Sequence, residues 1–381
     1  MKSVNLSAFL PLTLAFGALA CGLPSVATVA PSPVPTEGVA TEAVPVASPT
    51  VAPEADIAAV VVQPNSIELY RLDGTPAGSW DAPGIDWPRP DWVQVVGASV
   101  YYVDDTGQLR AVSAQGTAEF AFTASPNLTA FAVSPDEAWL SWATTSYGDK
   151  LESQLWMAAI DGSGKRLVAQ SDPQDEIADW FALEPVSFAA DGRLVYSWQI
   201  TGIGGYILFF GYSSLYSYDP ATTVVTPLAP LLSDSTGPCW NNVRSDLAYA
   251  VGYCYGAEGD LAMRERDLAT GEDLVFPSFP DQGQAGAAAY SPSGHRLAYA
   301  IARGNPDDEA GQIIVRLEPA GEGVPFASIS NGYFHLLYWL DEERLLAGGS
   351  EGGVDRVYRV GLDGSVTPVA EGRLAGWMVL P

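Results

Sequence analysis

The residues of this chain best suited to recognising a ligand are aromatic side chains and carboxylates in segments without a strand pattern. Segment 201–212 has glycines near both ends and aromatic residues in its middle, which is typical of an apolar flap. Loops on a rigid scaffold commonly carry binding residues, so we predict a recessed site on one loop-rich face. Its candidate residues are Trp87, Trp180, Tyr206, Phe209, Phe210, Tyr212, Asp86, Asp175, Asp179 and Asp307. The alternative is that the flap packs onto its own sheet as an extra hydrophobic layer.

Carboxylates could also carry out chemistry. Glycoside hydrolysis needs two acids about 5 to 10 Å apart, and the chain contains 45 acidic residues. Nothing beyond this abundance assigns a catalytic role to any one of them. We therefore favour ligand or partner binding over catalysis, keep a carboxylate-dependent, glycosidase-like hydrolase as the alternative, and name no catalytic residue.

The sequence does not predict a metal site. Its two histidines, His295 and His335, fall in a turn and a strand, and neither has Cys or His neighbours at ligand spacing. We therefore expect neither a metal nor another cofactor.

The net charge of −27 restricts the class of partner. Nucleic acid binding needs clustered Lys and Arg to neutralise phosphates, and this chain has 18 basic against 45 acidic residues. An acidic surface repels polyanions and favours solubility. We expect a monomer whose ligands are proteins, peptides or glycans.

The amino terminus has the pattern of a secretory signal over residues 1–20. A lysine at position 2 precedes an apolar run over 6–19, too short for a spanning helix. The run ends in Ala18-Leu19-Ala20-Cys21-Gly22, which resembles the lipobox of bacterial lipoproteins. This resemblance implies cleavage before Cys21, acylation of its thiol and a lipid anchor in the bacterial cell envelope, outside the cytoplasm. The alternative is ordinary cleavage after Ala20, with Cys21 incidental.

Residues 21–56 have the composition of an extended tether. Between 23 and 56 the chain has no aromatic and no basic residue, and Pro, Ala, Val, Thr and Ser dominate. Such a segment cannot bury a core, and at about 3.1 Å per residue it would reach roughly 100 Å. We therefore predict a disordered linker that holds a folded domain, residues 57–381, away from a membrane.

A repeated turn organises this folded domain. The clearest copy, Ala289-Tyr290-Ser291-Pro292-Ser293-Gly294-His295-Arg296-Leu297-Ala298-Tyr299-Ala300, reads as strand, turn and strand with period-two alternation. Related turns lie near positions 136, 191, 245 and 342, so the unit repeats roughly every 50 residues. This spacing predicts an all-β propeller of four-stranded blades. We predict seven blades, with six as the alternative.

The first blade begins with its second strand, at 57–62. Its missing innermost strand can come from the last segment of the chain, 374–380. Pairing of these two segments would close the ring and remove an open sheet edge.

The repeat Ser291-Pro292-Ser293-Gly294-His295-Arg296-Leu297-Ala298 resembles the WD-like repeats of TolB-type β-propellers, and a second sharp copy begins at Ser134. The resemblance covers most of residues 128–381. It implies the fold and an extracytoplasmic scaffold or binding role, and it carries over no catalytic residue.

Cys239 and Cys254 flank one strand-turn-strand unit. Antiparallel pairing would bring them together, and the secretory signal places the domain where thiols can oxidise. We predict a disulfide between them, with two buried free thiols as the alternative.

The anchor prediction can be tested by metabolic labelling with an alkyne-tagged fatty acid. We expect the wild-type chain to incorporate the label and the Cys21→Ser variant to lose it, because only the thiol of Cys21 would be acylated. A Cys239→Ser variant, which retains Cys21, should remain labelled. Equal labelling of the Cys21→Ser and wild-type chains would contradict the lipobox interpretation.

Overall fold

The computed structural model describes residues of the folded domain within 56–380. The described residues are 56–85, 92–148, 150–171, 181–201, 208, 211–229, 239–255, 261–278, 282–303, 310–317 and 323–380.

These residues form 28 β-strands and one 3-10 turn, Ala121–Thr123. Sheet 1 contains β1 (Ile57–Gln63), β2 (Ser66–Arg71), β3 (Pro76–Asp81) and β28 (Arg373–Val379). Sheet 2 contains β4 (Val93–Val96), β5 (Ser99–Val103), β6 (Leu109–Ser113) and β7 (Gly116–Glu119). Sheet 3 contains β8 (Leu128–Val133), β9 (Trp139–Tyr147), β10 (Leu151–Ala159) and β11 (Arg166–Gln170). Sheet 4 contains β12 (Phe181–Phe188), β13 (Leu194–Ile200), β14 (Leu215–Tyr218) and β15 (Val225–Ala229). Sheet 5 contains β16 (Trp240–Val243), β17 (Tyr249–Tyr255), β18 (Leu261–Asp267) and β19 (Asp273–Val275). Sheet 6 contains β20 (Gln282–Tyr290), β21 (Arg296–Arg303), β22 (Ala310–Leu317) and β23 (Val324–Ser330). Sheet 7 contains β24 (Gly332–Trp339), β25 (Arg344–Glu351), β26 (Val354–Gly361) and β27 (Val366–Glu371).

Each sheet is an antiparallel meander, as the all-β prediction requires. A single parallel bridge, Ala310 to Gly332, links sheets 6 and 7. The predicted pairing of the chain ends is present: β28 pairs antiparallel with β1, from Ile57 opposite Val379 to Val62 opposite Arg373. The sheet that begins the domain is therefore completed by its last strand.

The first strands of neighbouring sheets contact one another. β28 contacts β4, β4 contacts β8, and β8 contacts β12; β16 contacts β20, β20 contacts β24, and β24 contacts β28. We call β28, β4, β8, β12, β16, β20 and β24 the innermost strands. Strand direction alternates within each antiparallel sheet, so the connections of each sheet lie at two ends. The loop end is where innermost strands begin and where second and third strands are joined; the turn end is opposite.

Apolar residues on both faces of the sheets hold the domain together. Along β21, Tyr299 and Ile301 pack with Val251 of sheet 5, whereas Ala298 and Ala300 pack in a cluster with sheet 7 residues. Alternate residues of one strand thus bury against different neighbouring sheets. This explains why the central strands read as almost continuous apolar runs.

The repeated turn has a common geometry. The fourth residue of the turn has a positive φ: 73° at Gly294 and 84° at Gly192, but also 54° at Glu137 and 58° at Leu247. Its N–H donates to the carbonyl three residues earlier, 2.8 Å for Gly294 to Ser291. Glycine takes this conformation without steric cost, which explains its recurrence in the repeat.

The predicted disulfide joins Cys239 to Cys254 across β16 and β17, with their Cα atoms 4.6 Å apart. Trp240, next to Cys239, lies opposite Gly252. A side chain at Gly252 would collide with the backbone of Cys239, so glycine allows the close approach of the two strands.

We expect the double variant Cys239→Ala/Cys254→Ala to have a lower free energy of unfolding, by about 3 kcal/mol, because the disulfide closes a short loop and restricts the unfolded chain. Chemical denaturation of both proteins measures this difference. A pair of alanines at exposed positions of two other turns, Ser163→Ala with Ser365→Ala, is the control. An unchanged unfolding midpoint in the cysteine variant would contradict a structural role of the bond.

His335 lies in β24, partly buried, and its Nδ1 atom is buried with no hydrogen-bond partner among the described residues. Burial lowers its pKa below the ordinary value; Asp355 opposes this shift and Arg373 adds to it. The folded domain therefore holds this imidazole in its neutral form.

This burial predicts a pH dependence of stability. The pKa of His335 is lower in the folded state than in the unfolded state, so keeping this imidazole neutral contributes to the free energy of unfolding. That contribution is complete above the unfolded pKa of about 6.5 and is lost as the pH falls through the folded pKa. We expect His335→Phe to reduce the slope of the free energy of unfolding between about pH 7 and pH 5. Identical slopes in the variant and the wild-type protein would disprove the assignment.

Candidate functional site

Most residues of the predicted loop-face site lie outside the described residues. These are Trp87, Trp180, Tyr206, Phe209, Phe210, Asp86, Asp175, Asp179 and Asp307. Tyr212 is described, and so is Leu208 from the same segment between β13 and β14. Both belong to the loop end, the end at which the sequence places the site.

Tyr212 ties the end of segment 201–212 to the next sheet. Its N–H donates to the carbonyl of Trp240 at 2.6 Å, and its carbonyl accepts the N–H of Trp240 at 2.9 Å. The side chain is partly buried against a cluster that contains Val243 and Leu247. The backbone of Tyr212 is thus fixed between sheets 4 and 5.

Leu208 is fixed to sheets formed by later parts of the chain. It is 3% exposed and packs with sheet 6 and sheet 7 residues, including Ala302 and Phe334. Its N–H donates at 2.6 Å to Oε1 of Gln284, a fully buried residue of β20. Leu208 therefore packs on sheets 6 and 7. The alternative interpretation of segment 201–212, an extra layer on its own sheet 4, does not describe this residue.

The innermost strands supply little acid chemistry. Of the residues within these seven described strands, Glu184 is the one with a carboxylate, and it is buried. A two-carboxylate hydrolase would need its second acid from outside these strands. The described geometry therefore gives no pair of acids on facing innermost strands.

The sequence contains one Gly-x-Ser-x-Gly match, at 348–352. In hydrolases that pattern places serine on a sharp turn between a strand and a helix. Here Ser350 lies within β25, opposite Tyr333 and Asp355 in the ladder. His335 is near Gly348 on the same sheet, but no hydrogen bond joins Ser350 to His335 in the described structure. The serine of this match therefore lies within a strand and not on the strand-to-helix turn that carries the nucleophile of such hydrolases.

A buried charged group between sheets 5 and 6 is too tightly packed to bind a ligand. Burial raises the pKa of Glu265, whose Oε1 accepts a hydrogen bond of 2.8 Å from the hydroxyl of Tyr290. The Arg316 guanidinium lies over the Phe276 ring, 3.8 Å from its centre. The space beside the group is about 10 Å³, at most enough for one water molecule, so the group contributes to packing between the sheets.

A much larger cavity opens at the turn end. Its volume is about 620 Å³, and it lies between the innermost strands β24, β28 and β4. The lining residues are Gln94, Val95, Gly97, Ala98, Tyr338, Ala375, Gly376, Trp377, Met378 and Val379. None of them belongs to the site predicted from the sequence.

The described residues contain no group of three or more His, Cys, Asp or Glu arranged to hold a metal ion. Nor do they contain a helix long and apolar enough to cross a membrane.

No family model matches the chain, and no curated protein matches it. Solved structures do. A prolyl endopeptidase structure is 11% identical over 83% of this chain, with a TM-score of 0.52, and this chain spans half of its length. An oligogalacturonate lyase in complex with manganese is 11% identical, with a TM-score of 0.51, over 74% of this chain and 79% of the lyase.

TolB structures are also among the similar structures, as the repeat resemblance predicts. TolB from Acinetobacter baumannii is 11% identical over 84% of this chain and 82% of its own length, with a TM-score of 0.44. At such identities the likeness concerns the fold. The four-stranded antiparallel sheets, the contacts between their innermost strands and these structural matches together identify this domain as an all-β propeller.

Proposed function

We propose that the chain is an extracytoplasmic propeller, anchored in the bacterial envelope by lipid on Cys21, that binds a protein, peptide or glycan at its loop end. The observation that carries the proposal is the difference between the two ends of the domain. The chain enters at the turn end, where the carbonyl of Asp56 accepts the N–H of Leu380 at 2.6 Å. The tether thus joins the domain opposite the loops.

The connections at the two ends differ in length. At the turn end a few residues link the strands, as between Val96 and Ser99 or between Ser113 and Gly116. At the loop end some connections are as short as one residue, as between Glu371 and Arg373, but every connection of more than six residues lies there, and the longest runs from Ile200 to Leu215. Long connections on a rigid sheet scaffold are where binding residues usually lie, so the loop end is the better candidate surface.

The described part of this surface includes an exposed aromatic side chain. Tyr147, at the end of β9, is 71% exposed, which is more than any other large apolar residue in the described structure. Exposed tyrosines are favoured in recognition because the ring is both apolar and able to hydrogen-bond. We assign Tyr147 to the surface together with the loop residues predicted from the sequence.

Site-specific photo-crosslinking in cells tests the proposal. A photoreactive aromatic amino acid replaces Tyr147 in one full-length chain and Trp87 in another. The control is Val324, which is 61% exposed at the turn end of β23. We expect crosslinked species from positions 147 and 87 and none from 324, because the partner contacts the loop end.

Two outcomes would contradict the proposal. Crosslinks from position 324 alone would place the partner at the wrong end. Absence of crosslinks from all three positions, together with no saturable signal from the purified chain on glycan and peptide arrays, would remove the binding function.

A further inference from the structure

The cavity at the turn end is separate from the proposed partner surface and has its own chemistry. Its lining comes from three innermost strands that are remote in sequence, with Val95 from β4, Tyr338 from β24 and Trp377 from β28. A volume of about 620 Å³ lies within the range of small-molecule sites in proteins, roughly 300 to 1,000 Å³. It is more than sixty times the volume enclosed beside Glu265.

The aromatic walls present apolar ring surfaces because their polar atoms are already engaged. The hydroxyl of Tyr338 donates to the carbonyl of Ala375 at 2.9 Å. The indole Nε1 of Trp377 donates to the carbonyl of Trp339 at 3.1 Å. Burial raises the pKa of Tyr338 to about 12, so the phenol stays neutral at physiological pH. Both rings are therefore held in fixed orientations by backbone carbonyls.

A glycine allows the cavity walls to approach each other. Gly376 has a φ of 154°, and a Cβ atom there would lie 2.9 Å from Cγ2 of Val95. The resulting close approach of β28 and β4 packs Met378 in the same apolar cluster as Val95, whereas Trp377 packs on the side of sheet 7. A larger residue at 376 would force these strands apart.

Among the described residues, the lining carries no formal charge. It contains no Asp, Glu, Lys or Arg, and its one amide side chain, Gln94, uses its Oε1 to accept the N–H of Val133 at 2.7 Å. An anion entering the cavity would lose hydration without a charged partner. It would also approach a chain of net charge −27.

From this combination of volume, aromatic walls and missing charge, we propose that the turn-end cavity binds an uncharged aromatic ligand. Neutral fused or linked rings can stack on Tyr338 and Trp377 while their edges contact Val95 and Ala98. The site is distinct from the loop-end surface, so one can exist without the other.

Two related fluorescent probes provide the test. N-phenyl-1-naphthylamine is uncharged, and 1-anilinonaphthalene-8-sulfonate adds a sulfonate to the same ring system. They are titrated against the chain from residue 21 with Cys21→Ser, which keeps the tether and the whole described domain and needs no detergent. We expect saturable binding of one neutral probe per chain, with the sulfonate at least tenfold weaker.

Two variants of one sheet locate the binding. Ala98 is exposed and lines the cavity. Ala114 is exposed in the turn between β6 and β7 of the same sheet and does not line the cavity. Ala98→Trp should fill the mouth of the cavity and weaken neutral-probe binding at least tenfold, while Ala114→Trp should leave it unchanged. Thermal unfolding of both variants verifies that they are folded.

The proposal is overturned if the neutral probe does not bind, if both probes bind equally, or if the two variants affect binding to the same extent. Equal binding would indicate adsorption to any exposed apolar surface. Because this assay does not involve the loop end, its failure leaves the crosslinking test of the proposed function intact.

Discussion

The pairing of β28 with β1 is the interaction on which the rest of the domain depends. Without β28, the backbone groups of β1 on that side would have no ladder partner, and the first sheet would expose an open edge. β28 also contacts β4 and β24, the innermost strands of the two adjacent sheets. Its apolar residues join clusters on both sides, Met378 with sheets 1 and 2 and Leu374 with sheet 7. One strand therefore links the two ends of the chain through both hydrogen bonds and packing.

Much of this architecture could be predicted from the sequence because local rules determine it. The turn at Ser291–Gly294 needs a residue with positive φ, and the strands after it alternate between two buried faces, so both leave a recognisable pattern. Cys239 and Cys254 could be paired because they flank one turn. The missing strand of sheet 1 was predictable from a counting argument, since a meander that begins with its second strand requires a first strand from elsewhere.

The candidate sites were harder to predict, for physical reasons. Loop residues follow no periodicity, so the aromatic segment 201–212 indicated a flap but not its packing partner; Leu208 contacts Gln284 in a strand remote in sequence. The turn-end cavity has no local signal at all, because Tyr338, Trp377 and Val95 meet only when three sheets assemble. Gly376 is the one residue whose type hints at a close approach, and glycine within a strand is equally typical of a bulge or a sharp bend.

The cavity and the closing strand are thermodynamically coupled. Half of the lining, residues 375–379, belongs to β28, so the cavity exists only while that strand is paired with β1. A ligand that binds the paired state and not the open one must stabilise the pairing, by an amount that grows with its concentration relative to its dissociation constant. The chain enters the domain beside the same strand, at Asp56. A ligand in this cavity would therefore also stabilise the point at which the chain enters the domain.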